Sequence, residues 1–273
     1  MSAPFDKQKR PKVGVGVIIT SKDHPGCVLI GKRKGTAPGE GQFALPGGHL
    51  EFGESWVDCA VREVQEETGL TLHNVEYYTA VNAVEVDKDY HYITVFMRGE
   101  SDSKQEPENL EADKCEGWSW HEWEKLPPLE LLFCPLRVFR KQGFNPFQTS
   151  IQCCFEEKSV LGTKFMYCVE HFLVLESWEE CAIRETLEET GLRLTNVCFS
   201  TVANGVDLAN DYHYLELYMT GEVDTSYKLE PENPEPEKCE GWFWMSWEAL
   251  PPSNELFFPL RLIKEQGYKP NLP

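Results

Sequence analysis

The chain opens on alternating apolar and small residues, VGVGVIIT (13–20), a period-two pattern that predicts a β-strand. A second run, CVLIGKRKG (27–35), follows the turn signal Lys22-Asp23-His24-Pro25-Gly26, and the two read as a hairpin. A Gly-rich loop (GTAPGEG, 35–41) leads to a short strand ending at LPGG (45–48). The period then changes. Val57, Ala60, Val61 and Val64 form an apolar stripe at helical spacing, predicting a helix from about Trp56 to Thr68 with that stripe against a sheet. Ser55 is a good N-cap, Asp58 completes a capping-box pattern, and Gly69 suits a left-handed C-terminal cap. Strands follow at 74–86 and 91–100, then a long acidic loop (101–115) and a strand at 117–123. A last helix is expected from near Leu129 to Gly143. Strands alternating with two helices imply an α/β layered domain with a mixed sheet.

The pattern then repeats. ESWVDCAVREVQEETGL (54–70) returns as ESWEECAIRETLEETGL (176–192), and DYHYITVFMRGE (89–100) as DYHYLELYMTGE (211–222). KCEGWSWHEWEKLPPLELLFCPLR (114–137) returns as KCEGWFWMSWEALPPSNELFFPLR (238–261), with two residues added in the loop before it. The repeats are domain-sized, which predicts a tandem pair at 1–148 and 151–273 with the boundary near Gln148-Thr149-Ser150. Their fronts differ. The second copy has no counterpart of VGVGVIIT or GKRKG, and 151–169 offers one or two irregular strands instead. Trp118, Trp120 and Trp123 recur as Trp242, Trp244 and Trp247, which reads as strand patterning in both copies.

Composition narrows the function classes. The 273 residues hold 45 Asp and Glu against 26 Lys and Arg, a net charge of −19. Such a chain is a poor partner for DNA or RNA, whose phosphates are bound by Lys and Arg. A small phosphorylated ligand remains compatible, because a divalent cation bridges carboxylates to phosphates. The start, MSAPFDKQKRPK, has no apolar segment of a secretory signal, and no stretch reaches the ~20 apolar residues of a membrane span. Ten cysteines without CxxC spacing suit buried thiols in a reducing cytoplasm. A cytoplasmic location without membrane or polynucleotide partners is the expectation.

The chemistry lies in the first helix. Glu63, Glu66 and Glu67, at i, i+3 and i+4, share a face distinct from the apolar stripe, with Arg62 the neighbouring cation. A hard cation would turn their repulsion into coordination. Acidic runs on helices are commonly just solvated faces, but the upstream Gly47-Gly48 permits close approach of a ligand and aims a carbonyl at a metal.

Gly48, Glu54, Arg62, Glu63, Val64, Glu66, Glu67, Gly69 and Leu70 satisfy every position of a pattern that resembles the Nudix hydrolase box. The likeness extends through GVGVIIT, HPGCVLIGKRKG, LPGGHLEFGE, DYHY and the EGW…LPPL…LR…QG tail, and within the family is similar to the animal nucleotide triphosphate diphosphatases of type 15. The resemblance implies an α/β/α sandwich with a mixed sheet, in two tandem copies of which the second is truncated at its front. It implies Mg²⁺ or Mn²⁺ held by Glu63 and Glu67, assisted by Glu66 and the Gly47 carbonyl. Glu63 or Glu66 would orient or deprotonate the attacking water, and Arg62 would fix a box glutamate, Glu54. Arg33, Gly48, Thr94 and Leu136 would meet the substrate, a nucleoside triphosphate cleaved to monophosphate and pyrophosphate. Guanine-type bases, oxidised or thio-substituted ones included, are the candidates. Dinucleotides or sugar nucleotides are an alternative substrate class, and a non-catalytic nucleotide- or protein-binding module is another reading. The type-15 likeness implies a homodimer, or an intramolecular pseudo-dimer of the repeats.

Two departures matter. Cys134-Pro135 stands where those relatives carry an aromatic and a glycine, which predicts a weaker stacking surface for the base and a stiffer loop before Leu136. The second copy keeps Glu176, Glu185, Glu188 and Glu189 but has Val169-Glu170 for Gly47-Gly48, HFLVLE for HLEFGE, Thr186 for Val64 and Glu216 for Thr94. It is expected to be catalytically dead or very weak.

Overall fold

A computed structural model describes residues 11–36, 38–148 and 176–268, together with the backbone of Lys164–Val169. Contacts within the chain divide it into two compact units, one within Lys9–Gln152 and one within Cys153–Pro273. Each has a mixed α/β make-up. The proposed boundary residues Thr149 and Ser150, the irregular strands expected over 151–163, and Glu170 with most of HFLVLE lie outside the described residues.

In unit one the strands are β1 (Lys12–Thr20), β2 (Cys27–Arg33), β3 (Phe43–Ala44), β4 (Gly47–His49), β5 (Leu72–Glu85), β6 (Tyr90–Ser101) and β7 (Cys115–Glu122). The helices are α1 (Trp56–Thr68) and α2 (Cys134–Lys141). One sheet runs β4-β1-β6-β5 and is mixed, with β1 and β6 parallel and the other pairs antiparallel. The other runs β3-β2-β7, antiparallel throughout. The expected β1–β2 hairpin does not form. Both edges of β1 are taken, by β4 and β6, so the chain crosses at the 22–26 turn into the second sheet. Likewise Leu45-Pro46 divides the single strand expected before LPGG into β3 and β4, one in each sheet.

Side chains of both sheets and α2 meet in one core, including Ile18, Val28, Ile30, Phe96, Trp123 and Phe139. Burial removes most of their apolar surface from water, at roughly 25 cal/mol per Å². The helix expected from Leu129 begins later. Leu129–Leu131 forms a separate 3₁₀ turn, and the Phe133 N–H donates to the Phe43 carbonyl before α2 starts. Pro135 therefore sits in the first turn of α2, where a missing N–H costs nothing, and not in a stiffened loop.

Helix α1 has the bounds and end caps expected, but not the capping box, because the Asp58 carboxylate accepts from the Ser55 hydroxyl. Ser55 accepts from the Asp58 N–H, and Gly69 is left-handed at φ 68°. Its orientation differs from expectation. Cys59, Ala60, Val64 and Thr68 are buried, whereas Val57 and Val61 are 43% and 40% exposed. Polar anchors turn the helix: Arg62 to Glu54, and Glu67 to the N–H of Gly47. Glu63 and Glu67 consequently point inward beside β4.

Unit two holds β8 (Lys164–Val169), α3 (Trp178–Thr190), β9 (Leu194–Asp207), β10 (Tyr212–Val223) and α4 (Phe258–Glu265). Its sheet is β8-β10-β9, all antiparallel. β8 pairs with Leu217–Glu222, the counterparts of the β6 residues that β1 covers in unit one, but runs the opposite way. GWFWMSW (241–247) forms no strand, unlike its copy in β7. β7 pairs with β2, and among the described residues unit two has no such strand, so the expected tryptophan strand pattern fails there. Phe243 is 73% exposed as a result.

Candidate functional site

A cavity of about 470 Å³ opens in unit one. Its walls come from β1, β4 and β6, from the carboxylates of α1, from the acidic loop, from β2 and β7, and from the start of α2. Two glycines let the pieces meet. Gly47 has φ 143°, and a Cβ there would lie 2.1 Å from the Val15 carbonyl oxygen. A Cβ on Gly48 would lie 2.3 Å from Glu63 Oε1, so a side chain there would displace that carboxylate.

Arg62 organises the carboxylates. Its Nε donates to Glu54 at 2.8 Å, one terminal nitrogen donates to Glu63 at 2.8 Å and Glu66 at 3.3 Å, and the other to Glu54 at 3.0 Å and the His49 carbonyl at 3.1 Å. The Arg62 hydrogen bonds hold Glu54 below the usual carboxylate range. Glu63 is pushed up, mainly by burial, against the pull of Arg62. Glu67 is pushed up to about 8, first by burial and then by the charges of Glu63 and Glu111. The Gly47 N–H, donating to Glu67 at 2.9 Å, and the Arg33 charge oppose that rise. Glu66 is the outlier of the three, with its side chain 56% exposed.

The donor chemistry fits a hard divalent cation, though not in the arrangement shown. Among the described residues no three acidic, His or Cys side chains converge as a ready-made ion site. Arg62 engages Glu63 and Glu66, and Glu67 rests on Gly47. Yet two inward carboxylates that resist ionisation, with Glu111 nearby and the space beside Gly48, form an oxygen-rich set whose charge a cation would relieve.

The expected substrate residues are all in the walls of this cavity. Thr94 and Leu136 are 5% and 2% exposed. Arg33 is not a solvated turn residue. Its Nε donates to the Pro38 carbonyl at 2.8 Å, and its guanidinium lies 4.3 Å from the Phe133 ring centroid. Burial lowers its pKa, and the charge of Glu67 resists that. Cys134 is buried in the core, yet the cavity does not lack aromatic surface. Phe133 packs edge-on to Tyr90, which stacks on Tyr92 at 4.6 Å. Those three rings were missed in the sequence, as were Glu111, Lys114 and Trp118. The alternate residues of DYHY were the available signal for the tyrosines. Glu111 had none, because the acidic loop has no period. That loop caps α1: the Glu108 N–H donates to the Thr68 carbonyl and the Leu110 N–H to the Glu67 carbonyl. Lys114 pairs with Glu111 at 2.7 Å.

In unit two, Arg184 holds Glu176 at 2.7 Å and Glu188 at 3.0 Å, reproducing the Arg62 arrangement. Glu185 is only 4% exposed. Glu216 is 3% exposed and accepts from the Tyr212 hydroxyl, so the carboxylate replacing Thr94 is buried against that ring.

A family model for the NUDIX domain matches residues 10–141 and 174–265, most of the chain and both repeats. The chain belongs to the NUDIX family. It is similar to a protein of Mycobacterium tuberculosis (strain CDC 1551 / Oshkosh) described as "Putative mutator protein MutT4", 32% identical over 94 residues, 31% of this chain and 38% of that one. It is also similar to the "ADP-ribose pyrophosphatase" of Methanocaldococcus jannaschii, 50% identical over 60 residues, 22% of this chain and 33% of that one. This NUDIX chain thus spans about a third of the length of the curated relatives it matches. Among solved structures it is similar to a MutT NUDIX hydrolase from Burkholderia pseudomallei, 28% identical with a TM-score of 0.44, covering 50% of this chain and all of that one. Among the described residues no helix is long and apolar enough to cross a membrane. Cys59, Cys115, Cys134 and Cys181 are buried free thiols.

Proposed function

We propose that unit one hydrolyses a pyrophosphate bond of a nucleoside triphosphate, releasing monophosphate and pyrophosphate. The observation that carries this is the convergence of Glu63 and Glu67 with Gly47-Gly48 at a cavity that is also lined by aromatic rings and Arg33. Phosphates need the charged end and a base needs the rings, and one cavity offers both. Mg²⁺, or Mn²⁺, would be held by Glu63 and Glu67, with Glu66, the Gly47 carbonyl and Glu111 as the further oxygens nearby. It supplies charge neutralisation on the phosphates and an acidified water.

The remaining roles fall to the protein's own groups. Arg62 keeps Glu54 fixed beneath α1 and orients Glu63. Glu66, the most exposed of the three, takes the role of orienting the attacking water and accepting its proton. Arg33, fixed against Phe133, meets a phosphate or the base edge, and Thr94 and Leu136 shape the inner wall. The type-15 resemblance read in the sequence is the ground for proposing guanine-type bases. A dinucleotide or ADP-ribose is the second reading, favoured by the matched ADP-ribose pyrophosphatase. Unit two is read as a non-catalytic partner, in a pseudo-dimer or a homodimer.

Assay of the whole chain with Mg²⁺ against triphosphates, a dinucleotide and ADP-ribose tests these readings. Pyrophosphate release from a triphosphate, lost by ~10³-fold in Glu67→Gln, is the expected result. Unchanged turnover in that variant would remove the site assignment. Monophosphate release from ADP-ribose without triphosphate cleavage would select the second reading.

A further inference from the structure

The carbonyl of Glu67 lies in the last turn of α1, where the helix itself supplies no partner. Two outside donors reach it: the Leu110 N–H at 3.2 Å and the indole Nε1–H of Trp118 at 3.1 Å. The same residue's carboxylate accepts from the Gly47 N–H. Glu67 is therefore held from three elements, with β4 on its side chain and the acidic loop and β7 on its backbone.

The indole has little freedom. Gly31 and Trp118 are direct partners in the β2–β7 ladder, and a Cβ on Gly31 would sit 2.7 Å from the Trp118 ring. The ring thus occupies the space a side chain would fill, one edge lining the cavity and its N–H committed to α1. Among the described residues of unit two, neither backbone clamp is kept on the matching glutamate, Glu189. Leu110 is replaced there by Pro234, which has no N–H. Trp118 is replaced by Trp242, which lies on no strand and is 37% exposed. The first loop contact survives, since the Glu232 N–H still donates to the Thr190 carbonyl. The loss is specific to the carbonyl of the glutamate.

We propose that Trp118 is a positioning residue for Glu67. Through the Glu67 carbonyl it holds the final turn of α1, and with it the carboxylate, in register with Gly47. It acts together with the Leu110 N–H and sets the affinity of the α1 carboxylates for a divalent cation. The inference rests on the metal reading given under the proposed function.

The test is Mn²⁺ titration of the whole chain, followed by electron paramagnetic resonance, for wild type, Trp118→Phe, Leu110→Pro and Glu67→Gln. Trp118→Phe keeps a ring against Gly31 and removes the donor. Leu110→Pro removes the other donor from a residue outside the cavity wall. Each is expected to weaken Mn²⁺ binding about fivefold, the worth of one neutral hydrogen bond, with substrate KM at saturating metal unchanged in Leu110→Pro. If both variants bind Mn²⁺ as wild type does while Glu67→Gln does not, the metal site stands and the positioning role is overturned. A Trp118→Phe variant that melts earlier or raises KM at unchanged Mn²⁺ affinity marks a wall residue only, and also overturns it. A wild-type chain that binds no Mn²⁺ overturns the metal reading, and this inference with it.

Discussion

Units one and two carry nearly the same acidic helix and differ in what surrounds it. Both have a serine N-cap, a left-handed glycine cap, and an arginine pinned to the upstream glutamate. Unit one adds β1, a second sheet, and a loop and strand that clamp the helix end. Among its described residues unit two has three antiparallel strands, with an exposed Trp242-Phe243 segment where β7 would be. A row of carboxylates is thus cheap to keep and says little alone. A cavity needs the glycines below the helix and the strands beside it.

The comparison breaks most sharply at Gly47, whose counterpart is Val169. Gly47→Val in unit one places a β-branched residue at φ 143° and drives its Cβ into the Val15 carbonyl. The expected loss is about 5 kcal/mol, the sum of backbone strain and overpacking, read by urea denaturation. A variant as stable as wild type would show that β4 has another way to sit beside β1.

A second test uses pH. Glu67 is held at about 8 in the folded chain, above an ordinary carboxylate in the unfolded one. The native state therefore holds a proton that the unfolded state releases, and stability falls as pH rises from the ordinary carboxylate value through about 8. Glu67→Gln removes that decline. With metal chelated, the variant should match wild type at pH 4 and melt at a higher temperature at pH 8.5. Equal melting temperatures at both pH values would mean that Glu67 ionises without cost. The smallest effect concerns the caps. Ser177 and Glu180 form a complete capping box, whereas the Asp58 carboxylate accepts from the Ser55 hydroxyl. Ser177→Ala should cost about 1 kcal/mol and Ser55→Ala somewhat less, by thermal melts.

Much of this was legible in the residues. Helix α1 ends where Ser55 and Gly69 place it, because caps are local chemistry. The strands appear within a few residues of their patterns for the same reason. Pairing was not legible. β1 joins β6, far along the chain, and no local signal separates that from a hairpin with β2. The rotation of α1 was misread because valines at helical spacing outweighed Glu67, whose hydrogen bond to Gly47 lies across twenty residues of chain. Arg33, Thr94 and Leu136, expected from the resemblance outside the box, line the cavity, whereas Phe133 was hidden behind the unusual Cys134-Pro135. In unit two the repeated tryptophans promised a strand, but among the described residues no strand like β2 is there to pair with one.

The parallel pairing of β1 with β6 also governs the order of events during synthesis. Lys12 meets Tyr92, so the first strand made waits for about 80 further residues before its ladder can close. Through that interval VGVGVIIT is an exposed, uncharged β-prone run, the kind of segment that associates with other chains. At the same edge of unit two, β8 waits for only about 50 residues, since Val169 meets Leu217. Unit one carries the longer of the two waits, and its yield on refolding is expected to fall first as chain concentration rises.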